Sequence, residues 1–199
     1  MHNLGRRYGA YGGWWASNGP AQNLVDDYDM TNGEPPFKWV NGVKTANPAS
    51  GYDPQNPYVN RDPRFYSTII YDGAVYHGDT HEMWISSDGN SWGYDSYKQS
   101  GDNPRGSYIL RKFMPEDEAL SWQGQYTQPW PIFRLGEIYL NYAEAKFELG
   151  DEDTCREYLS LVRARVGMPS IPASVKGEEL RARLYNERRV EMAFEEQRF

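Results

Sequence analysis

The residues best suited to chemistry in this chain are aromatic. Within one short stretch Trp84, Trp92, Tyr94 and Tyr97 stand among Asp88, Asn90 and Asp95. A sugar ring has a face of C–H groups and an edge of hydroxyls, so an exposed Trp or Tyr can stack on it while amides and carboxylates bond the edge. Each aromatic side chain has two torsions, so such a platform loses little entropy when it binds. The alternative is that these rings staple loops together where regular structure is scarce, and composition leaves both readings open. Other constellations are weaker. His77, His81 and Glu82 fall within six residues, enough in principle for a metal, but the segment contains Gly78 and follows a hairpin signal, so helical i,i+4 geometry is not expected. No metal site is assigned. Carboxylate pairs for glycoside hydrolysis can be drawn from Asp26, Asp62, Asp72, Glu82 or Asp95, and nothing singles one pair out. The run Gly9-Ala10-Tyr11-Gly12-Gly13 lacks the Lys-Ser/Thr of a phosphate loop, and no G-x-S-x-G nucleophile motif occurs. No cofactor is expected.

Composition narrows the classes further. The chain has 199 residues, the size of one ordinary domain, and a net charge of -7. That charge argues against a nucleic-acid-binding surface. A single cysteine, Cys155, excludes an internal disulfide framework. No stretch reaches the roughly 18 to 20 apolar residues of a membrane helix, and the first thirty residues lack the apolar core of a signal peptide. If the protein is exported, its leader and anchor lie upstream of residue 1.

The elements that must position these residues differ between two compositional halves, 1–130 and 131–199. The first carries all seven Trp and twelve of the sixteen Tyr; the second carries 24 of the 49 charged residues. The seam is at Pro129-Trp130-Pro131. In the second half Leu135, Ile138, Tyr139, Tyr142, Ala143 and Lys146 recur at helical spacing, with Leu149 closing the face and Gly150 ending the helix. A second helix is predicted over about 153–166, stopped by Gly167 and Pro169, and a third over about 176–199. The first two have the size of a tetratricopeptide-like α-hairpin, which needs neighbours to cover both faces. Arg163, Arg165, Glu187, Arg188, Arg189 and Glu191 read as alternating charges along helices, with some Arg stems packed beneath neighbours.

In the first half, 22–30 reads as a short helix ending at an Asn32-Gly33 turn, and 34–63 as a long loop with no period. Residues 65–71 alternate like a strand, Asp72-Gly73 followed by 74–76 signals a hairpin, 84–105 is loop, and 108–113 is another strand.

Five segments taken together resemble one family. They are Asn60-Arg61-Asp62-Pro63-Arg64-Phe65, the stretch from Pro20 to Met30, RLGEIYLNYAEAKFELGD from Arg134, the helix end Val162–Pro169, and NERRVEMAFEEQRF from Asn186. In order and in wording they resemble the SusD/RagB family, the surface nutrient-binding lipoproteins of Bacteroidetes. The resemblance implies a mainly α fold: a SusD-like array of tetratricopeptide-type α-hairpins with long aromatic-rich loops and short β-hairpins. It implies one SusD/RagB domain, incomplete here because family members are more than twice as long. It implies no catalysis, an oligosaccharide or other nutrient as ligand, and a TonB-dependent SusC-like outer-membrane barrel as partner. The place would be the cell outer membrane, reached through a lipid anchor absent from this chain. Ligand residues do not transfer by motif, so Trp84, Trp92, Tyr94, Tyr97 and Asn90 stand as candidates from composition. Asp62, Pro63, Arg64, Glu187, Arg188 and Arg189 carry the family signature and are read as architectural, the Asp62 carboxylate pairing with Arg61 or Arg64.

Overall fold

The computed structural model describes residue 7, residues 19–114, residue 116 and residues 131–195. In chain order its elements are α1 (Gln22–Asp27), β1 (Phe37–Val40), β2 (Val43–Ala46), α2 (Pro63–Thr68), β3 (Ile69–Ile70), β4 (Val75–Tyr76), β5 (Asp79–Thr80), β6 (Ile109–Leu110), α3 (Leu135–Glu148), α4 (Glu152–Ala164) and α5 (Gly177–Glu191). They are divided between two compact units. One comprises Met1–Gln22 and Tyr66–Pro129, the other Asn23–Phe65 and Trp130–Phe199. The fold is mainly helical with small antiparallel sheets, as the sequence implied.

In the second unit the helices start and stop where local chemistry dictates. Gly150, at φ 81°, closes α3 by donating to the Phe147 carbonyl. Asp151 then caps α4 by accepting from the Thr154 N–H at 3.2 Å, with Glu152 and Asp153 in the favourable first turn. α3 and α4 pack as a helical hairpin and α5 packs on both. Their core joins Leu140, Ala143 and Phe147 to Cys155, Leu159, Val162, Leu180 and Leu184. The buried face of α3 is thus rotated from the predicted one. Ala143 lies in the core, but Leu135, Ile138 and Tyr142 are exposed and Leu149 is 81% exposed. Leu140 and Phe147 join the core shared with α4 and α5 instead, and a stripe chosen by periodicity cannot tell which of two apolar edges is buried. α5 ends at Glu191, earlier than the predicted 199, with the Met192 N–H returning to the Arg188 carbonyl. Residues 196–199, like Gly9–Gly13 and Pro129-Trp130, lie outside the described residues.

Residues 23–65 complete this unit. α1 is shorter than the predicted 22–30 because Tyr28 to Met30 leave the helix to pair with the 60–62 segment. Met30 bridges Arg61, and the Asp62 N–H donates to the Asp29 carbonyl at 2.8 Å. Arg61 is buried and donates to the carbonyls of Pro57, Val25 and Tyr28, tying α1 and the residue after it to the 57–61 segment through one guanidinium. The predicted long loop contains a regular hairpin, β1 with β2, in the register Phe37↔Ala46 to Val40↔Val43. Its two-residue turn is Asn41-Gly42, both at positive φ (52° and 77°), a pair suited to the tight turn that matches strand twist. The predicted strand 65–71 is largely helix: Asp62 Oδ1 accepts from the Arg64 N–H at 2.9 Å and Pro63 occupies the first helical position, where a missing N–H is harmless. The strand persists as β3.

In the first unit β3 pairs with β6, not with the segment after Asp72-Gly73 as predicted. The hairpin here is β4 with β5, turning at His77-Gly78, again both at positive φ. Asp72-Gly73 makes the preceding turn. The predicted strand 108–113 is reduced to β6. A second core of Ile70, Ala74, Tyr76, Met83 and Ile109 lies beneath.

Candidate functional site

The aromatic stretch follows directly on Met83, a member of this second core. Residues 84–93 fold back on themselves: Ile85 bridges Trp92, the Ser86 N–H donates to the Ser91 carbonyl, and the Gly93 N–H donates to the Trp84 carbonyl at 3.0 Å. The turn is held by Asp88, whose Oδ1 accepts from the Ser86 hydroxyl at 2.6 Å and the Asn90 N–H at 3.1 Å, and whose Oδ2 accepts from the Asn90 amide. These bonds hold the Asp88 carboxyl below the usual carboxylate range. Gly93 is required where it stands, because a Cβ there would fall 2.2 Å from the Glu82 carbonyl oxygen.

The four nominated rings are between 37% and 43% exposed. They are not gathered into one wall. Trp92 lies opposite Ile85, so Trp84, one residue earlier, stands on the other face of the turn-back, as alternation requires. No ring contact among the described residues joins any two of Trp84, Trp92, Tyr94 and Tyr97. Trp92 is the best prepared of them. Its Nε1–H donates to Gln99 Oε1 at 3.0 Å, which tethers a partly exposed ring. Tyr94 is supported by the Arg7 guanidinium, 4.9 Å from its ring centroid. Asn103, buried, donates to the carbonyls of Tyr94 and Ser96 and holds the loop beneath. Gln99, Arg7 and Asn103 are the supporting residues that sequence reading passed over. A Gln or Asn in a loop gives no signal until its partner is known. Asp95, grouped with the ligand-facing residues by sequence, is instead buried: it accepts from Arg7 Nε at 3.1 Å and Nη2 at 2.8 Å and from the Glu82 N–H.

His81 is buried with its Nδ1 3.6 Å from Asp95. Burial lowers its pKa, with Arg7 adding to the effect and Asp95 and Asp79 opposing it. His77 is taken into the β4–β5 turn, its ring edge against Tyr76. Of the other carboxylates weighed for catalysis, Asp72 accepts from the Met83 N–H at 2.7 Å, Asp26 pairs with Lys44, and Asp62 pairs with Arg64.

The signature residues converge in the helical unit. Arg64, almost fully buried, reaches Asp62 at 2.6 Å, Glu187 at 2.5 Å and Glu191 at 3.0 Å. Arg163 bridges Glu187 at 2.8 Å and Asp29 at 3.0 Å, and Arg134 and Arg165 both pair with Glu191. Glu187, Glu191 and Arg163 are therefore buried, not a solvated alternation of charge. Arg188 and Arg189 are partly exposed, pairing with Glu144 and Asp27. The alternative left at sequence level, Asp62 with Arg61 or Arg64, resolves to Arg64. At Asp29 burial outweighs the ion pairs: it pushes the carboxyl up to about 6, although Arg163 and Arg183 act against it.

The family pattern described as the SusD family matches residues 2–199. The chain belongs to the SusD family. A SusD-like carbohydrate-binding protein from Bacteroides fragilis is 28% identical over 98% of this chain and 36% of its own, with a TM-score of 0.71. A SusD-like protein from the same organism is 29% identical over 99% of this chain and 38% of its own, with a TM-score of 0.68. A SusD superfamily protein from Bacteroides vulgatus, at 16% identity and a TM-score of 0.63, shares the fold. The chain spans little more than a third of the length of these SusD-like chains. No curated protein matches.

Proposed function

We propose that this SusD-family chain binds an oligosaccharide without altering it and serves its delivery to a TonB-dependent SusC-like barrel at the cell outer membrane. The observation that carries the binding is Trp92, an exposed ring tethered by Gln99 on a loop that Asp88 and Gly93 hold in one shape. Trp84 and Tyr94 extend the same loop, and the description of the 28%-identical relative as carbohydrate-binding supports the reading. Absence of catalysis is supported by the engagement of Asp26, Asp62, Asp72 and Asp95 in structural bonds. Asp62, Arg64 and Glu187 serve the architecture in this reading, Pro63 starts α2, and Arg188 and Arg189 fasten α5.

Affinity electrophoresis against a polysaccharide panel tests it. Retardation by at least one polysaccharide, weakened about tenfold or more by Trp92→Ala at unchanged melting temperature, is expected. Retardation indifferent to Trp92→Ala and Trp84→Ala removes the loop from the site. A reducing-end assay on the retarding polysaccharide should stay flat, and new ends would make the protein an enzyme.

A further inference from the structure

The aromatic loop carries an electrostatic pattern that bears on its ligand. From residue 79 to residue 97, the span holding all four candidate rings, there are four carboxylates and no Lys or Arg. His81, in the same span, is buried with its pKa lowered, so it adds no cation at neutral pH. Asp95 is neutralised by Arg7, which is locked on it by three hydrogen bonds and sits against the Tyr94 ring. Asp79, Glu82 and Asp88 are exposed, and Arg7 reaches Asp79 at 3.8 Å. Asp88 keeps its charge into acid, because the turn's hydrogen bonds stabilise the carboxylate. The first basic side chain after the span is Lys98, exposed beside Tyr97.

Recognition of a uronate or sulfate uses Arg or Lys placed to donate in pairs, whereas among the described residues the guanidinium set against a candidate ring, Arg7 on Tyr94, is committed to Asp95. A polyanion would bring its charges toward Glu82 and Asp88, and the negative face of each indole adds to the repulsion. A sugar hydroxyl, in contrast, donates a hydrogen bond, and an ionised carboxylate accepts and never donates. Resting on the reading that this loop binds glycan, we infer that its ligand is an uncharged polysaccharide and that the loop discriminates against acidic ones. Trp92 supplies a stacking surface on one face of the turn-back and Trp84 a second on the other, where Glu82, two residues before it, accepts from sugar hydroxyls.

The test uses matched probes on the whole chain. Neutral polysaccharides (amylopectin, xyloglucan, galactomannan) and acidic ones (polygalacturonate, alginate, chondroitin sulfate) are run in affinity gels at low and at moderate salt. Fully methyl-esterified polygalacturonan is added as the uncharged twin of polygalacturonate. Retardation by a neutral member is expected, lost in a Trp84→Ala/Trp92→Ala double variant. Acidic members should need about tenfold more polysaccharide or fail entirely, their weak binding improving with salt as repulsion is screened. Tighter retardation by an acidic polysaccharide than by its neutral twin overturns the charge inference and leaves glycan binding standing. No retardation by any member from a helical, cooperatively melting protein overturns the glycan reading and this inference with it.

Discussion

Replacing Asp29 by Asn isolates one carboxylate whose burial outweighs its ion pairs. Asp29 is almost completely buried, and it shares Arg163 with Glu187, so neither acid receives the full guanidinium. Its carboxyl is pushed up to about 6 from an ordinary 3.8, foremost by burial, with Arg163 and Arg183 lowering it and Glu187 adding to the rise. Between those values the folded chain holds a proton that the unfolded chain has released, so stability falls as pH rises through this window and is level above it. The shift amounts to a ceiling of about 3 kcal/mol at neutral pH, and to about 1.4 kcal/mol gained on going from pH 7.5 to 5. The amide of the Asp29→Asn variant mimics the protonated form and removes the titration. Urea unfolding of both proteins, followed by far-ultraviolet circular dichroism at pH 7.5, 6 and 5, gives the difference in stability at each pH, with every other titrating group cancelling. The variant should be the more stable at pH 7.5, and its advantage should shrink by about 1.4 kcal/mol by pH 5. A difference independent of pH would refute the argument that desolvation wins at this site. So would an Asp29→Asn protein less stable at pH 7.5 by about 1.5 kcal/mol or more, the lower end of what a hydrogen bond to a charged group contributes.

Glu191 has the opposite sign: burial raises its pKa, but Arg134 and Arg64 together outweigh this and hold it down to about 2, so its contribution, up to about 3 kcal/mol, is present above pH 4.5 and lost as pH falls toward 2. A Glu191→Gln variant should therefore lose stability less steeply than the parent between those values in acid titrations, and an equally steep fall would assign the acid limb to other carboxylates. Arg64→Ala leaves buried Asp62 without its ion pair and Glu187 with Arg163 alone, and should lower stability by about 3–5 kcal/mol in urea titrations. Arg188→Ala, at a partly exposed pair with Glu144 and a bond to Asn141, should lower stability by about 1 kcal/mol or less and leave polysaccharide retardation unchanged; a large affinity loss at intact stability would contradict an architectural role. Gly93→Ala places a methyl against the Glu82 backbone and should cost about 1–3 kcal/mol while altering Trp fluorescence, since the loop carrying Trp84 and Trp92 must shift.

What the sequence made legible follows from how local each cause is. The ends of α3 and α4 were readable because Gly150 and Asp151 act within one turn of themselves. The Asn41-Gly42 turn of β1–β2 was equally local, yet the surrounding Pro, Gly and Asn hid it, although the dipeptide between FKWV and VKTA is a strong hairpin signal. Asp62-Pro63 likewise announced the start of α2, against the apparent alternation of 65–71. The rotated face of α3 was not legible, because which apolar edge is buried depends on where α4 and α5 approach. Nor was the charge network: Arg64 and Glu187 are 123 residues apart, and the alternating charges of α5 look the same whether buried or solvated. At the aromatic loop, residue types pointed to the rings, but their separation onto two faces and the tether from Gln99 arise from pairing that no spacing encodes.

The helical unit is assembled from two stretches of chain separated by the whole of 66–129. A ribosome delivers the chain in order, so Asp29, Arg61 and Arg64 emerge well before α4 and α5 exist. Arg61 finds its carbonyl partners among residues already made, whereas Arg64 and Asp29 must wait for Glu187, Glu191 and Arg163. Contacts spanning more than a hundred residues make slow steps, because the loop must close before any of them is rewarded. The intervening unit, whose β3–β6 and β4–β5 pairings need nothing beyond residue 110, is free to form first and shorten that loop. A chain halted before residue 163 would hold every partner that β3–β6 and β4–β5 require, while Arg64 and Asp29 still lacked Glu187, Glu191 and Arg163 and kept their charges in water.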